Sequence, residues 1–450
     1  HATIRRQRQM CIRDRKKDDA IEQLISNNKD QSYWANVGRQ FRKNRLAVWS
    51  LRVFFVILFI ALTADFLANE KPIVCKIDNQ VSFPIFKQYA VDLGLTSWDK
   101  EFVIKKWSEH NYQFAIYPLI PYSPTTMDTY NRQYVGPFDK QRNIKSFRWR
   151  HWMGTDELGR DVMSGMIHGA RIAVSVGVIA MAIASFIGIF IGSLAGYFGD
   201  NRLKVSIIRL ILNSISFVFA IFYGFITRTY AIGVASKEGG MLLELLKSVG
   251  IFLFIMLLAN ILASILKKIP PLGKKITIAV DILVMRFIEV LNSIPTLLLI
   301  LSIVAITKPS IINVMIIIGL VGWTGIARFI RAELLRVRSL EYIEAAQAMG
   351  FSEARIILRH AIPNALTPVL IAIAFGVASA ILTEAFLSFL GIGVDVAEDI
   401  TWGSLLNLAR NKFSAWWLAI FPGFAIFITV TIFNLIGEGL TDALDPRLKQ

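Results

Sequence analysis

Only two cysteines, Cys11 and Cys75, occur in 450 residues, too few for a disulfide framework and without the CxxC spacing of a zinc site. Histidines stand at 1, 110, 151, 168 and 360 with no HExxH pair, so a zinc protease has no ligand set. A GxSxG elbow is missing, which leaves a serine hydrolase of that type without a nucleophile motif. There is no Walker A loop either: Gly273 precedes Lys274 and Lys275, but no glycine stands five residues before it. The chain therefore lacks the usual means of holding ATP.

What the sequence has in excess is apolar surface. Hydrophobic residues make up 54% and the mean hydropathy is +0.51, which argues for a bilayer rather than water as the main solvent. The net charge of +16 does not point to nucleic acid. The basic residues cluster at the ends of apolar runs, as the positive-inside rule requires, and no basic stripe is interleaved with exposed aromatics.

Residues 1 to about 17 begin on His1 and show no periodicity; they are expected to be a fragment edge or an assembly artefact. The N-terminal segment, 1–45, ends in Arg39, Arg42, Lys43 and Arg45, which puts it in the cytosol. A first span at 46–68 follows, interrupted by Arg52 and Asp65. It is long enough to cross about 30 Å of hydrocarbon. It is too long for a signal peptide and has no small-residue cleavage site.

Residues 69–165 form a polar, aromatic external loop with many turn formers. Trp98, Trp107, Tyr112, Tyr117 and Tyr122 either pack its small core or sit at the membrane interface. Near its end Asp156 and Arg160, and Glu157 and Asp161, are four apart. A helical reading makes one ion pair beside a like-charge pair. The free cysteines fall on opposite sides of the membrane in this topology, so no internal disulfide is expected.

The transmembrane domain, 166–440, opens with a span at 172–198, where Gly188, Gly192 and Gly196 let helices approach closely. Two apolar runs follow, 205–227 and 249–266, within 200–275. Arg202, Lys204, Lys267, Lys268, Lys274 and Lys275 flank them, so they read as a hairpin crossing out and back. Arg209 is placed to snorkel to the cytosolic interface. Further spans at 282–306, 310–327, 367–391 and 415–437 bring the total to eight. Both termini are then cytosolic, as are the 328–365 loop and the 441–450 tail, while 391–414 is external. The fold class is an all-α polytopic membrane protein with a large extracytoplasmic loop.

Polar residues inside spans are costly and often functional. Arg286 and Glu289 are three apart on one face and read as a pair, near Asp281. Asn292, Ser293 and Pro295 interrupt their run, predicting a kink whose freed carbonyl faces a pathway. Glu384 has no helical partner at i±3 or i±4. It either lines a pathway and meets a substrate amine or hydrogen-bonds to a neighbouring helix, and the structural role is the expected one.

The polar stretch Leu340 to Pro363 lies between two apolar segments. It reads as two short helices around Gly350, a position suited to positive φ. Ser339 is placed to cap the first helix and Ser352 the second. Glu341 and Glu344 sit where the helix dipole favours negative charge. Tyr342, Ala345, Ala346 and Met349 share a shallow face by i, i+3, i+4, i+7 spacing, and Pro363 closes the second helix.

This elbow resembles the EAA loop of ABC-importer permeases through Glu344, Ala345, Ala346, Gly350, Ile362 and Pro363. The string GTDELGRDV with a following GAR, the segment TEAFLSFLGIG, the basic lead-in RQFRKNRLAVWS and the closing Leu444 to Arg447 resemble C-type permease subunits of oligopeptide and dipeptide (peptide/nickel) importers. The enlarged loop after Ala68 to Pro72 is similar to the subgroup that includes microcin C permeases. Such permeases run almost directly from their second span to the segment that here begins at Val280, so 200–275 is a departure.

The resemblance implies a type I ABC importer transmembrane fold, six family spans plus the inserted hairpin, in a bacterial inner membrane. It implies a B-type permease homologue, two ATPase subunits and an extracytoplasmic solute-binding protein as partners. ATP would be used by the partner subunits and no cofactor bound by this chain. Tyr342, Glu344, Ala345, Ala346, Met349, Gly350, His360 and Pro363 would form the ATPase-coupling loop, with His360 structural. Glu289, Asn292, Pro295 and Glu384 remain pathway or helix-contact residues. Peptides, peptide antibiotics and nickel complexes are all substrates of such importers; the rival classes are a membrane-embedded enzyme and a channel.

Overall fold

A computed structural model describes residues 33–444 apart from 78, 100–101, 103–104, 106, 202, 239–240, 271–272 and 396–398. Cys11 and most of the closing Leu-Asp-Pro-Arg lie outside the described residues. Among those described, seven helices are long and apolar enough to cross a membrane, or up to eight if a broken pair counts as one span. The chain divides into two compact units. One holds the described residues up to Gly188 with Ile294–Ile326 and those from Asn364 on; the other holds Ile189–Ser293 and Ala327–Pro363.

The first unit opens with α1 (Tyr33–Phe41) and the first span, α2 (Arg45–Leu62). Asn44 caps α2 by accepting from the Ala47 N–H at 3.1 Å, and its amide donates to Asp442 at 3.0 Å. The segment after α2 is not all helix. Strands β1 (Val74–Ile77), β2 (Gln80–Ser82) and β3 (Phe114–Ile116) form an antiparallel sheet in the order β2-β1-β3, with α3 (Pro84–Asp92) beside them in sequence. Strands of three or four residues are too short to show a period-2 pattern. Buried Cys75 on β1 meets Ser82 at 3.1 Å.

The aromatic residues settle as a core. Trp98 packs edge-on against Trp107, Tyr112 against Tyr117, and Tyr117 and Tyr122 against Trp149. Asp156 and Arg160 do pair, at 2.6 Å and buried, but across a turn closed by Gly159 at φ +82° rather than on a helix. The helix starts only at Val162.

That helix, α4 (Val162–Phe198), begins ten residues before the expected span. The deep core of the first unit joins it to later helices through Val176, Ala180, Ile300, Val304, Val314, Ile318, Ala380 and Leu387.

The second unit contains the hairpin. Strand β4 (Lys204–Ser206) leads into α5 (Ile207–Ala235), α6 (Met241–Leu266) returns, and β5 (Lys275–Thr277) pairs antiparallel with β4. Arg209 bonds across the hairpin to Asn260 at 3.1 Å.

Helix α7 (Val280–Asn292) and α8 (Thr296–Ile306) are separated at Ser293–Pro295, as the interrupted apolar run requires. Then come α9 (Ile311–Val337), α10 (Glu341–Ala348), α11 (Glu353–Phe389), α12 (Trp402–Asn411) and α13 (Trp417–Leu444). Two of these outrun their apolar cores. Helix α9 continues to Val337, and α11 starts at Glu353 and passes through Pro363. A π-helical turn at Ile357–Ala361 lies just before that proline, a local adjustment that accommodates a missing N–H. Pro363 therefore does not close a helix. Hydropathy marks where lipid ends, and good helix formers such as Arg and Glu carry the coil further.

Candidate functional site

Helix α10 buries Ile343 and Ala346 and exposes Glu341, Tyr342, Glu344, Ala345 and Met349. The expected four-residue face is thus split: Ala346 points inward with Ile343, and Glu344 joins the outward side instead. Gly350, at φ +78°, ends the helix. The Gly350 N–H donates to the Gln347 carbonyl at 2.9 Å and the Phe351 N–H to Ala346 at 3.2 Å, the paired bonds of a Schellman turn. Neither serine caps. Leu340 holds the N-cap position, the Ser339 hydroxyl donates back to the Arg336 carbonyl at 2.9 Å, and Ser352 makes no side-chain cap bond.

The elbow is held by the ends of the long helices of the same unit. Fully buried Tyr197, near the end of α4, donates its hydroxyl to the Glu353 carboxylate and accepts from the Gln347 amide at 3.3 Å. Arg338 donates to the carbonyls of Gly196 and Tyr197 at 3.3 and 3.4 Å. Asp281, at the start of α7, accepts a two-pronged bond from Arg331 of α9, with Nη2 to Oδ2 at 2.6 Å.

Close approach makes this geometry reachable. A methyl at Gly192 would lie 2.1 Å from Ile330 Cγ2 and 2.5 Å from the Ala327 carbonyl oxygen, so the glycine repeat seats α4 against α9.

The other expected residues are dispersed. The His360 ring lies parallel to Phe351 at 6.3 Å, and Arg355 sits over the Phe351 ring at 5.5 Å. Glu289 pairs with Arg286 at 2.8 Å, both side chains exposed. Asn292 and Pro295 flank the break between α7 and α8. Glu384 belongs to the first unit. It is 2% exposed and accepts from the Ser388 hydroxyl at 2.6 Å, so it has an i+4 partner after all, a hydroxyl rather than a charge. The Thr401 side chain also bonds to it.

Sequence reasoning missed Tyr197, Arg331 and Glu353 because their partners are 50 to 156 residues away. It also missed a buried cluster in the segment before α4. His151 donates Nδ1–H to Asp161 at 2.8 Å and Nε2–H to Asp128 at 3.2 Å, with Tyr122 stacked on its ring at 4.3 Å. Burial opposes the imidazolium, but the two carboxylates outweigh it and push His151 up to about 9. Burial likewise opposes the Asp128 charge, and His151 and Asn131 overcome it, holding the carboxyl at about 2.

Spans packed through glycines, a broken helix pair and an elbow tied to helix ends define a polytopic helical membrane protein. Residues 259–450 match the family model described as binding-protein-dependent transport system inner membrane component, and 32–83 match the N-terminal transmembrane domain of oligopeptide transport permease C. The chain is 28% identical to the inner membrane ABC transporter permease protein YejE of Escherichia coli K12, covering 93% of this chain and 97% of that one. It is 30% identical to the dipeptide transport system permease protein DppC of Alkalihalophilus pseudofirmus OF4, over 66% and 73% of the two chains. It is 26% identical to the peptidoglycan transport system permease protein YejE of Agrobacterium fabrum, over 92% of each.

The chain belongs to the binding-protein-dependent permease family, as a C-type permease of peptide ABC importers. It is a transport subunit and not itself an enzyme.

Proposed function

We propose that this chain moves peptides or peptide-like solutes inward across a bacterial inner membrane, driven through the elbow by separate ATPase subunits. The observation that carries the reading is α10, which exposes Tyr342, Glu344, Ala345 and Met349 on its outer side while Ile343 and Ala346 are buried beneath it. A ligand-sized push on α10 reaches α4 and α11 through Tyr197, Gln347 and Glu353. The missing Walker A loop agrees with ATP being bound by partner chains.

The same proposal extends to the rest of the assembly. A B-type permease homologue completes the pathway, two ATPase subunits dock at the elbow, and an extracytoplasmic binding protein delivers solute. The basic flanks support a cytosolic side for both termini and the elbow. Peptide is the preferred substrate class because the relatives are named for dipeptide and peptidoglycan transport; nickel complexes and peptide antibiotics are the alternatives within the same architecture.

The test is reconstitution of the importer in liposomes with Glu344→Lys or Gly350→Val. Both variants should insert normally yet lose most peptide uptake per ATP hydrolysed. Undiminished uptake by both would remove the coupling role.

A further inference from the structure

Most polar bonds of the inserted hairpin close within it, although Asn213 Oδ1 on α5 is buried with no partner among the described residues. Arg228 donates to Ser248 at 3.1 Å and pairs with Glu244, which also holds Lys247 at 2.5 Å. Arg209 meets Asn260, and the small residues Ala220, Gly224, Ala259 and Ala263 are buried. What α5 and α6 turn outward is large and apolar, including Leu210, Ile215, Phe219, Leu253, Leu257 and Ile261, and little of either helix is buried. Such a surface, dominated by large apolar side chains rather than an outward stripe of small residues, suits acyl chains better than another helix.

Charge on the hairpin is concentrated at one end. Lys204, Lys267, Lys268, Lys274 and Lys275 are all exposed around its base, and none has an ion-pair partner among the described residues. Register places Lys204 opposite Thr277 and Ser206 opposite Lys275, so both lysines and both hydroxyls lie on one face of the β4–β5 ladder. Between Asp200 and Asp281 the sequence has just two acidic residues, Glu238 and Glu244, both near the far end. The two carboxylates at the foot are engaged elsewhere, Asp200 by the Ile282 N–H and Asp281 by Arg331.

We propose that the base of this hairpin binds anionic phospholipid. The lysines engage headgroup phosphate, and the outer faces of α5 and α6 take the acyl chains. Clustered lysines beside a membrane helix attract anionic headgroups with an energy that adds up per residue. A soluble phosphate compound would engage the lysines but leave the apolar faces bare, and a nucleic acid would do the same. The apolar hairpin rising directly from the basic collar favours lipid.

The test uses the full chain reconstituted in nanodiscs of mixed phosphatidylcholine and phosphatidylglycerol, then released gently into detergent, with retained lipid counted by native mass spectrometry. Wild type should retain phosphatidylglycerol over phosphatidylcholine by roughly tenfold. Replacing all five lysines with Gln should bring the ratio close to that of the starting mixture, whereas the five Lys→Arg replacements should keep it. Size-exclusion behaviour and tryptophan circular dichroism report whether each variant is folded, and the Arg variant carries the test if the Gln variant is not. The proposal is overturned by a wild type with no preference, by a folded Gln variant with the wild-type ratio, or by a folded Arg variant that loses it. Displacement of the lipid by inorganic phosphate, or retention of nucleic acid in its place, also overturns it.

Discussion

The buried hydroxyl of Tyr197 bonds to the carboxylate of Glu353, joining the last turn of one span to the first turn of another across 156 residues of sequence. Gln347 of α10 donates to the same hydroxyl, so a single oxygen links three helices. Tyr197→Phe removes that oxygen and keeps the ring. Its expected cost in stability is about 1 kcal/mol, too little to unfold the chain. Uptake coupled to ATP hydrolysis in liposomes should fall more than thermal stability does. If Glu353→Gln lowers coupling as Tyr197→Phe does and the double variant is no worse than either, the bond is the shared cause. Additive losses would assign the two residues independent roles.

Asp281 and Arg331 make the second tie. Asp281 is 7% exposed, so Arg331→Ala leaves a carboxylate with little water and no cation. Complete burial would make this costlier, but the Arg331 side chain is 30% exposed, and a loss of roughly 2 kcal/mol is the reasonable expectation. Asp281→Asn combined with Arg331→Gln should recover part of it, because no unpaired charge remains. Midpoints of thermal unfolding in detergent for the wild type and these two variants decide this. A double variant less stable than Arg331→Ala would contradict it.

These two ties mark the limit of what could be read in the sequence. The spans were legible because twenty apolar residues have few alternatives. Gly350 was legible because its neighbours demand a turn with positive φ. Asp281 stood out as a charge near a span, and its pairing did not, since Arg331 lies on a different helix and no periodicity connects them. The sides of α10 were misassigned for a related reason. Spacing puts Ala345 and Ala346 on one face, but only packing decides that Ala346 goes under with Ile343. The Ser339 cap failed because its hydroxyl bonds back to the Arg336 carbonyl and Leu340 takes the N-cap position; nothing in the structure explains why Ser352, at its N-cap position, makes no cap bond.

The His151 cluster predicts a pH dependence. His151 titrates at about 9 when folded, above its ordinary value of about 6.5. Its contribution to stability is therefore complete below about 6.5 and is lost as the pH rises through 9. Asp128, held at about 2, acts in the opposite direction: its contribution is present above its ordinary value of about 4 and is lost as the pH falls toward 2. Thermal midpoints of the detergent-solubilised chain should drop between pH 7 and pH 9.5, roughly the window set by these values. In His151→Gln that alkaline drop should be much smaller. Identical alkaline profiles would mean that the imidazolium is not what the two carboxylates hold.

Glu384 separates a pathway role from a packing role. Its carboxylate accepts from Ser388 one turn along α11, and Thr401 reaches it from the start of α12. The two helices are close there: a methyl on Gly403 would come within 2.3 Å of the Ala385 carbonyl oxygen. We expect Glu384 to fasten α12 to α11. Glu384→Gln keeps an acceptor for both hydroxyls and should preserve peptide uptake within about twofold. Glu384→Ala strands those hydroxyls and leaves a void, and should cost on the order of 1–3 kcal/mol. Gly403→Ala should be destabilising as well, since the added methyl has nowhere to go. A residue that met a substrate amine would give a different pattern: Glu384→Gln would abolish uptake of cationic peptides while the unfolding midpoint stayed at the wild-type value. Uptake and thermal midpoints of Glu384→Gln, measured on the same preparation, therefore distinguish the two roles.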